Sequence, residues 1–303
     1  MTSARRGPIL NTKAEWRTVA VIVAVYAGTI AVVGYHERLN GLITVLLLAW
    51  FGGWHLSMQH ELLHGHPFSK SWMNDAVASV PLTLWIPFLM FKPDHLEHHR
   101  TDLTTPGIDN ESFYVDPHDW EKMGPLRRGY YWANRTILFR IFVNSIVSTW
   151  QYHAWKLRKV AKGDRQTINA YLLHAVLLIP TIWLVVGVAG MPLWQYALGV
   201  TYGGRVLNAI RPFPEHKYQS GVELRTAMIM AGPVMSLLML NNNLHVPHHD
   251  EPAQPWYDYR KVAKRVNAEQ RAEEAGLMYR GGYLEVFRKY SFRPVDAPVR
   301  QTA

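Results

Sequence analysis

The chain contains no cysteine. That excludes disulfides, thiolate zinc sites, iron–sulfur clusters and a cysteine nucleophile, and it leaves redox compartment unmarked. Chemistry that needs electrons must take them from a partner. Acidic residues are also scarce: 23 Asp and Glu stand against 32 Lys and Arg, a net charge of +9 over 303 residues. Such an excess suits either nucleic acid or an anionic membrane surface. Hydropathy decides for the membrane and against nucleic acid, because charge is missing from long apolar stretches at Thr18–Tyr35, Leu42–Gln59 and Leu172–Leu193. Each has about the 17–25 residues that a bilayer-spanning helix needs. Trp16, Trp194 and Tyr196 sit near the ends of these stretches, where interfacial aromatics belong. The first stretch follows Arg5, Arg6, Lys13 and Arg17 but runs into Tyr35-His36-Glu37-Arg38 with no small-residue cleavage site. It reads as a retained span rather than a signal peptide. Internal repeats and low-complexity segments are not evident.

What the chain has in quantity is histidine. Eight of its 15 histidines fall in three clusters: His60-Glu-Leu-Leu-His64, His95-Leu-Glu-His98-His99 and His245-Val-Pro-His248-His249. Residues three and four apart on a helix share one face, with about 5–6 Å between Cβ atoms. Two imidazoles at that spacing can close on one metal ion. At this histidine content, a His-x-x-His-His match arises by chance about 0.04 times, and two are present. Three such clusters offer more imidazoles than one tetrahedral ion uses. The pattern points to a polynuclear metal site, and imidazole suits iron, copper, nickel and zinc alike.

The clusters can build one site only if they share one side of the membrane. Spans at about 18–35 and 42–59 form a hairpin, and His60 and His64 emerge on the side where the N-terminus began. Ala76–Phe91 would carry His95 to the wrong side if it crossed, but Pro81 and Pro87 interrupt it. It is expected to enter and return, as covered irregular backbone can. Ile137–Trp150 carries Arg140 and reads as an amphipathic surface helix. Spans at about 171–189 and 193–210 follow, and Ala227–Leu240, with Pro233, is a second re-entrant candidate. The expected fold is an all-α integral membrane protein. It has about four transmembrane helices, re-entrant or interfacial helices, and a cytoplasmic histidine-rich cap. The basic stretches fall on one side and the opposite loops hold only Arg38. The positive-inside rule then places both termini and the histidines in the cytoplasm. The expected segments are 1–17 as a cytoplasmic N-terminus, 18–259 as the membrane domain, and 260–303 as a cytoplasmic tail.

Taken alone, His60-Glu61-x-x-His64 is the signature of a zinc protease, with Glu61 as general base. That chemistry needs one zinc, three ligands and an open position. It leaves the second and third clusters unexplained. A metal transporter would place its ligands inside the spans, whereas these clusters stand at span ends.

The segments HELLHGHP, HLEHH and NNNLHVPHHDEPAQPWY, in this order between paired apolar spans, resemble the membrane fatty acid desaturase superfamily from about Leu42 to Tyr259. The third is most similar to bacterial acyl-desaturase-like members. The resemblance implies a cytoplasmic di-iron centre that uses O2 to remove hydrogen from an unactivated C–H bond. It implies His60 and His64, His95, His98 and His99, and His245, His248 and His249 as metal ligands. Glu215-His216 matches the isolated histidine that such proteins carry after the last span, so His216 is the expected ninth ligand. The third cluster begins with histidine where many acyl-lipid desaturases have glutamine, and this does not fix the reaction. A hydroxylase or ketolase acting on a lipid, alkane, carotenoid or small amphipathic metabolite stays open beside a desaturase.

Ligating histidines donate their other N–H to carboxylates or carbonyls. Glu61, Glu97 and Glu215 touch the clusters in sequence and are candidates for that role, with Asn241 a weaker one. His55 and His174, inside predicted spans, are expected to be packed or hydrogen-bonded rather than ligating. With no cysteine and about 50 residues after the third cluster, no electron-transfer domain is expected within the chain. A separate donor such as a ferredoxin, rubredoxin or cytochrome is implied, and a bacterial inner membrane is the expected location.

Overall fold

The computed structural model of the chain describes residues 11–12 and 15–300. Arg5, Arg6 and Lys13 of the basic N-terminus lie outside the described residues. The elements run α1 (Trp16–Gly34), α2 (Gly41–Leu63), α3 (Ser71–Ala78), α4 (Phe88–His98), α5 (Pro117–Glu121), α6 (Pro125–Ala133), α7 (Ser145–Ala161), α8 (Arg165–Ile182), α9 (Leu193–Tyr196), α10 (Gly204–Ile210), α11 (Pro212–Glu215), β1 (Met228–Ile229), α12 (Pro233–Leu238), α13 (His245–Asp250), α14 (Tyr259–Arg265), α15 (Ala268–Glu274), β2 (Met278–Tyr279) and α16 (Gly282–Tyr290). π-helical turns lead into α7 (Phe139–Asn144), extend α8 (Trp183–Val188) and join α9 to α10 (Ala197–Gly203). The chain divides into two compact units. One holds the described residues up to Lys92 with Thr149–Asn208, and the other holds Pro93–Ser148 with the residues from Ala209 onward.

Trp16–Gly34, Gly41–Leu63 and Arg165–Val188 are long and apolar enough to cross a membrane. Only 11% of the last window is buried within the protein, so its apolar surface faces outward, as a lipid-facing helix requires. Leu172, Val176, Ile179 and Trp183 form part of that exposed face. The fourth expected span, 193–210, is helical throughout, but in three successive segments. Gln195, Arg205 and Asn208 interrupt its apolar character, and it does not join the three qualifying helices. Asn40 caps α2 by accepting from the Leu42 N–H at 2.9 Å. Close approach to the 193–210 helix follows from glycine: a Cβ on Gly52 would lie 2.2 Å from the Val200 carbonyl oxygen.

Ala76–Phe91 forms no helix long enough to cross a membrane. After α3 it runs irregularly to α4, and side chains from the long helices satisfy its carbonyls. Gln59 Nε2 donates to Ala78 O (2.7 Å), His55 Nε2 to Val80 O (3.3 Å), Tyr196 Oη to Leu82 O (2.9 Å) and His174 Nε2 to Leu84 O (3.2 Å). These bonds allow non-helical backbone to sit among apolar helices. They also give His55 and His174 a hydrogen-bonding role, as expected of them.

In the second unit, β1 and β2 form a two-residue parallel pair, and Met228 also bridges Leu244. Around them pack Val246, Tyr259, Ala263, Ala268 and Ala272, so the polar stretch after Tyr259 supplies part of this unit's core. The helix over 137–161 differs from a simple surface helix. Arg135 and Arg140 are 2% and 3% exposed. Arg135 pairs with Asp296 and Tyr114, and Arg140 stacks 3.6 Å above the Phe113 ring. Periodicity assigns charge to solvent, but a planar guanidinium with an ion pair or an aromatic face can be buried.

Candidate metal centre

α4 carries His95 and His98 three residues apart, and His99 follows its last turn. α13 repeats the spacing with His245, His248 and His249. The asparagine run before α13 sets its position. Asn241 adopts φ +54°, a left-handed conformation that asparagine tolerates. Asn243 Nδ2 donates to Ile229 O at 2.7 Å, tying the run to β1.

Within the second unit, the Nε2 atoms of these helices converge. His98 Nε2 stands 3.1 Å from His216 Nε2, His216 Nε2 stands 2.9 Å from His245 Nε2, and His245 Nε2 stands 3.0 Å from His249 Nε2. His95 Nε2 and His99 Nε2 are 3.2 Å apart. Two imidazoles bound to one ion at about 2.0–2.1 Å are about 3.0 Å apart at right angles and about 3.4 Å apart in a tetrahedron. The observed separations match neighbouring corners of a coordination polyhedron. His98, His216 and His249 form one group able to hold an ion, with candidate ligand atoms within 4.8 Å of one another. His245, His248 and His249 form another, and His95, His99 and His248 also lie within that limit. In the first unit, the His60 and His64 rings meet edge-on with centroids 4.8 Å apart at the end of α2. The donor set is all imidazole, which the metal-binding expectation requires and which suits iron among other transition metals.

The outer nitrogens are held. His95 Nδ1 donates to Glu111 Oε1 and His98 Nδ1 to Asp109 Oδ1, both at 2.7 Å. His248 Nδ1 meets the Tyr259 hydroxyl at 2.7 Å, and His245 Nδ1 meets Asn242 Oδ1 at 3.2 Å. Glu215 Oε1 approaches His245 Nδ1 at 3.6 Å. A proton fixed on Nδ1 leaves the Nε2 lone pair facing inward, the tautomer a metal ligand needs. Asp109 is itself fixed: its Oδ2 accepts from the Thr104 N–H at 2.7 Å, and Arg300 Nη1 donates to Thr104 Oγ1 at 2.9 Å.

Electrostatics favour the same protonation. Burial, then the positive potential of neighbouring histidines, holds His216, His245 and His249 well below the ordinary imidazole pKa. Burial with His95 and His98 pushes His99 down to about 3. His98 is the exception. Burial disfavours its charge, but the Glu111, Asp109 and Glu215 carboxylates outweigh burial and raise its pKa. Burial lifts Glu215 to about 8 against the pull of Arg211. Neutral imidazoles beside carboxylates are a good host for a cation.

Of the carboxylates singled out from sequence, Glu215 is buried at the cluster, Glu61 is buried on α2 beside His60, and Glu97 is exposed. Glu97 thus faces water instead of a ligand. Asn241 donates to Trp256 O at 3.0 Å, and it is the neighbouring Asn242 that contacts His245. Asp109, Glu111 and Tyr259 escaped the sequence reading. They lie eleven to sixteen positions from their histidines, in a loop or at the start of another helix, where no helical period links them. The carboxylates of the 100–116 loop were the available signal.

A comparison with curated proteins finds no match to the chain. Against family models, residues 38–283 match the one described as fatty acid desaturase. That span includes α2, all the converging histidines and the segments between them. With three helices fit to cross a membrane and histidine groups fit to hold metal, the match covers most of an integral membrane protein, and the chain belongs to the fatty acid desaturase family of oxidoreductases.

Proposed function

We propose that the protein is an O2-dependent di-iron desaturase that introduces a double bond into a fatty acyl chain or a lipid-like substrate. The observation that carries this reading is the convergence of Nε2 atoms at 2.9–3.2 Å with outer nitrogens held by Asp109, Glu111, Asn242 and Tyr259. His98, His216, His245 and His249 would hold one ion. The family resemblance implies His60, His64, His95, His99 and His248 as the remaining ligands. Bound iron supplies O2 reduction and the oxidising power to take hydrogen from carbon. The protein's part is to keep His99, His216, His245 and His249 neutral, to fix the tautomers of His95, His98, His245 and His248, and to shield these imidazoles from bulk water. The balance is R–CH2–CH2–R′ + O2 + 2 e⁻ + 2 H⁺ → R–CH=CH–R′ + 2 H2O. A chain without cysteine has no iron–sulfur or thiol redox centre, and a separate donor supplies the two electrons. The basic stretches support a cytoplasmic site.

Expression in a host of defined lipid composition, followed by mass spectrometry of its lipids and small metabolites, tests the reading. A product lacking two hydrogens supports it. A product gaining one oxygen assigns hydroxylation on the same scaffold. Peptide cleavage that depends on Glu61 overturns it in favour of a zinc protease.

A further inference from the structure

The outer partners of the histidines differ in chemistry. Carboxylates hold His95 and His98 and an asparagine holds His245, whereas a phenol, Tyr259, holds His248. Tyr259 is the first residue of α14 and is 1% exposed. Its ring meets the His248 ring edge-on, with centroids 5.5 Å apart. The other side of the same helix is entirely basic: Arg260, Lys261, Lys264 and Arg265 are all exposed. Lys261 pairs with Asp258 at 2.7 Å and Arg265 pairs with Glu251. Arg260 and Lys264 form no ion pair among the described residues. Glu273 of the next helix is engaged by Arg280 at 2.5 Å, and Glu269 by the same arginine at 3.8 Å. α14 therefore presents net positive charge outward and touches a candidate metal ligand inward.

One other approach within this unit has the opposite sign. The cleft that reaches His249 has four carboxylates, Asp102, Glu223, Asp250 and Glu274, against Arg225 and Arg271. An acidic protein is repelled from that cleft and attracted to α14.

We propose that α14 is the docking surface for an acidic one-electron carrier protein, with Tyr259 the contact through which electrons reach His248. The proposal rests on the function proposed above. Each carrier gives up one electron and leaves oxidised, and two such visits supply the two electrons that accompany O2 and the two substrate hydrogens to water. Electron transfer slows steeply with distance. One helix thickness and one hydrogen bond make α14 a short route.

The test uses the full-length protein in detergent and an acidic [2Fe–2S] ferredoxin as probe. Binding of oxidised ferredoxin is measured by calorimetry on metal-free protein. Reduction of the iron-loaded protein is then followed by stopped-flow absorbance, with ferredoxin or photoreduced deazaflavin as reductant. The double variant Arg260→Glu/Lys264→Glu is expected to weaken binding and slow ferredoxin reduction about ten-fold or more at low salt, with the difference shrinking at high salt. Deazaflavin reduction should stay within about two-fold. Arg288→Glu/Arg293→Glu, on another exposed basic segment, serves as the control and should leave both unchanged. Equal ferredoxin binding by wild type and the α14 variant overturns the proposal. So does loss of binding in the control alone, or wild type that accepts electrons from deazaflavin but not from ferredoxin. Protein that retains no iron, or that neither reductant reduces, overturns the di-iron reading itself and this proposal with it.

Discussion

At the residue scale, the site depends on pairs rather than on single ligands. His98 is 1% exposed, and so is the Asp109 side chain that accepts its Nδ1–H. His98→Ala removes a proposed ligand and leaves a buried carboxylate without its imidazole partner, at a cost of about 1–3 kcal/mol. Turnover is expected to vanish and iron content to fall, with the protein still in the membrane fraction; metal analysis and activity of the purified variant check this. Asp109→Asn keeps the shape but loses the charge that orients the imidazole. A loss of about 10–100-fold in metal affinity is expected, read by competition with a chelator. Tyr259→Phe removes only a hydroxyl, and a shift of the same order is expected because His248 Nδ1–H loses its acceptor. Wild-type affinity in both variants would show that these contacts do not support the ligands.

At the element scale, glycine sets the contact between α2 and the 193–210 helix. Gly199 and Gly203 are four apart, the spacing that lets membrane helices approach closely. A Cβ on Gly203 would lie 2.6 Å from Ala49 Cβ, and one on Gly204 would lie 2.6 Å from the Gly52 carbonyl carbon. Gly52→Ala and Gly204→Ala force the helices apart, a destabilisation of about 1–3 kcal/mol. A lower Tm in detergent is expected for both. Gly34→Ala, where a Cβ meets nothing within 4 Å, should leave Tm unchanged or slightly raised. Elements were legible where one period governs a whole segment. The apolar runs gave α1, α2 and α8, and the three-and-four spacing gave the faces of α4 and α13. Arg135 and Arg140 were not legible as buried, because what buries them is Asp296, Tyr114 and Phe113, far along the chain. Asp109, Glu111 and Tyr259 were missed for the same reason: their role comes from tertiary contact, which local pattern does not encode.

At the scale of the whole molecule, the charge distribution makes a claim about orientation, and the absence of cysteine makes it easy to test. Glu37→Cys, in the loop between α1 and α2, should react with a membrane-impermeant maleimide added to spheroplasts. Arg127→Cys, at an exposed position of α6, should react only after permeabilisation. The reverse pattern would place the histidines on the outer side. The same molecule-wide view gives the first histidine cluster its meaning. His60-Glu61-x-x-His64 alone describes a zinc protease, but seven further histidines with converging or outward-held nitrogens offer more imidazoles than that chemistry uses. The most direct measurement is therefore the metal content of protein purified from iron-replete cells, with O2 consumption on adding reductant. Two irons per chain, and O2 uptake that is lost with His98→Ala, are expected. One zinc per chain and no iron would contradict the account.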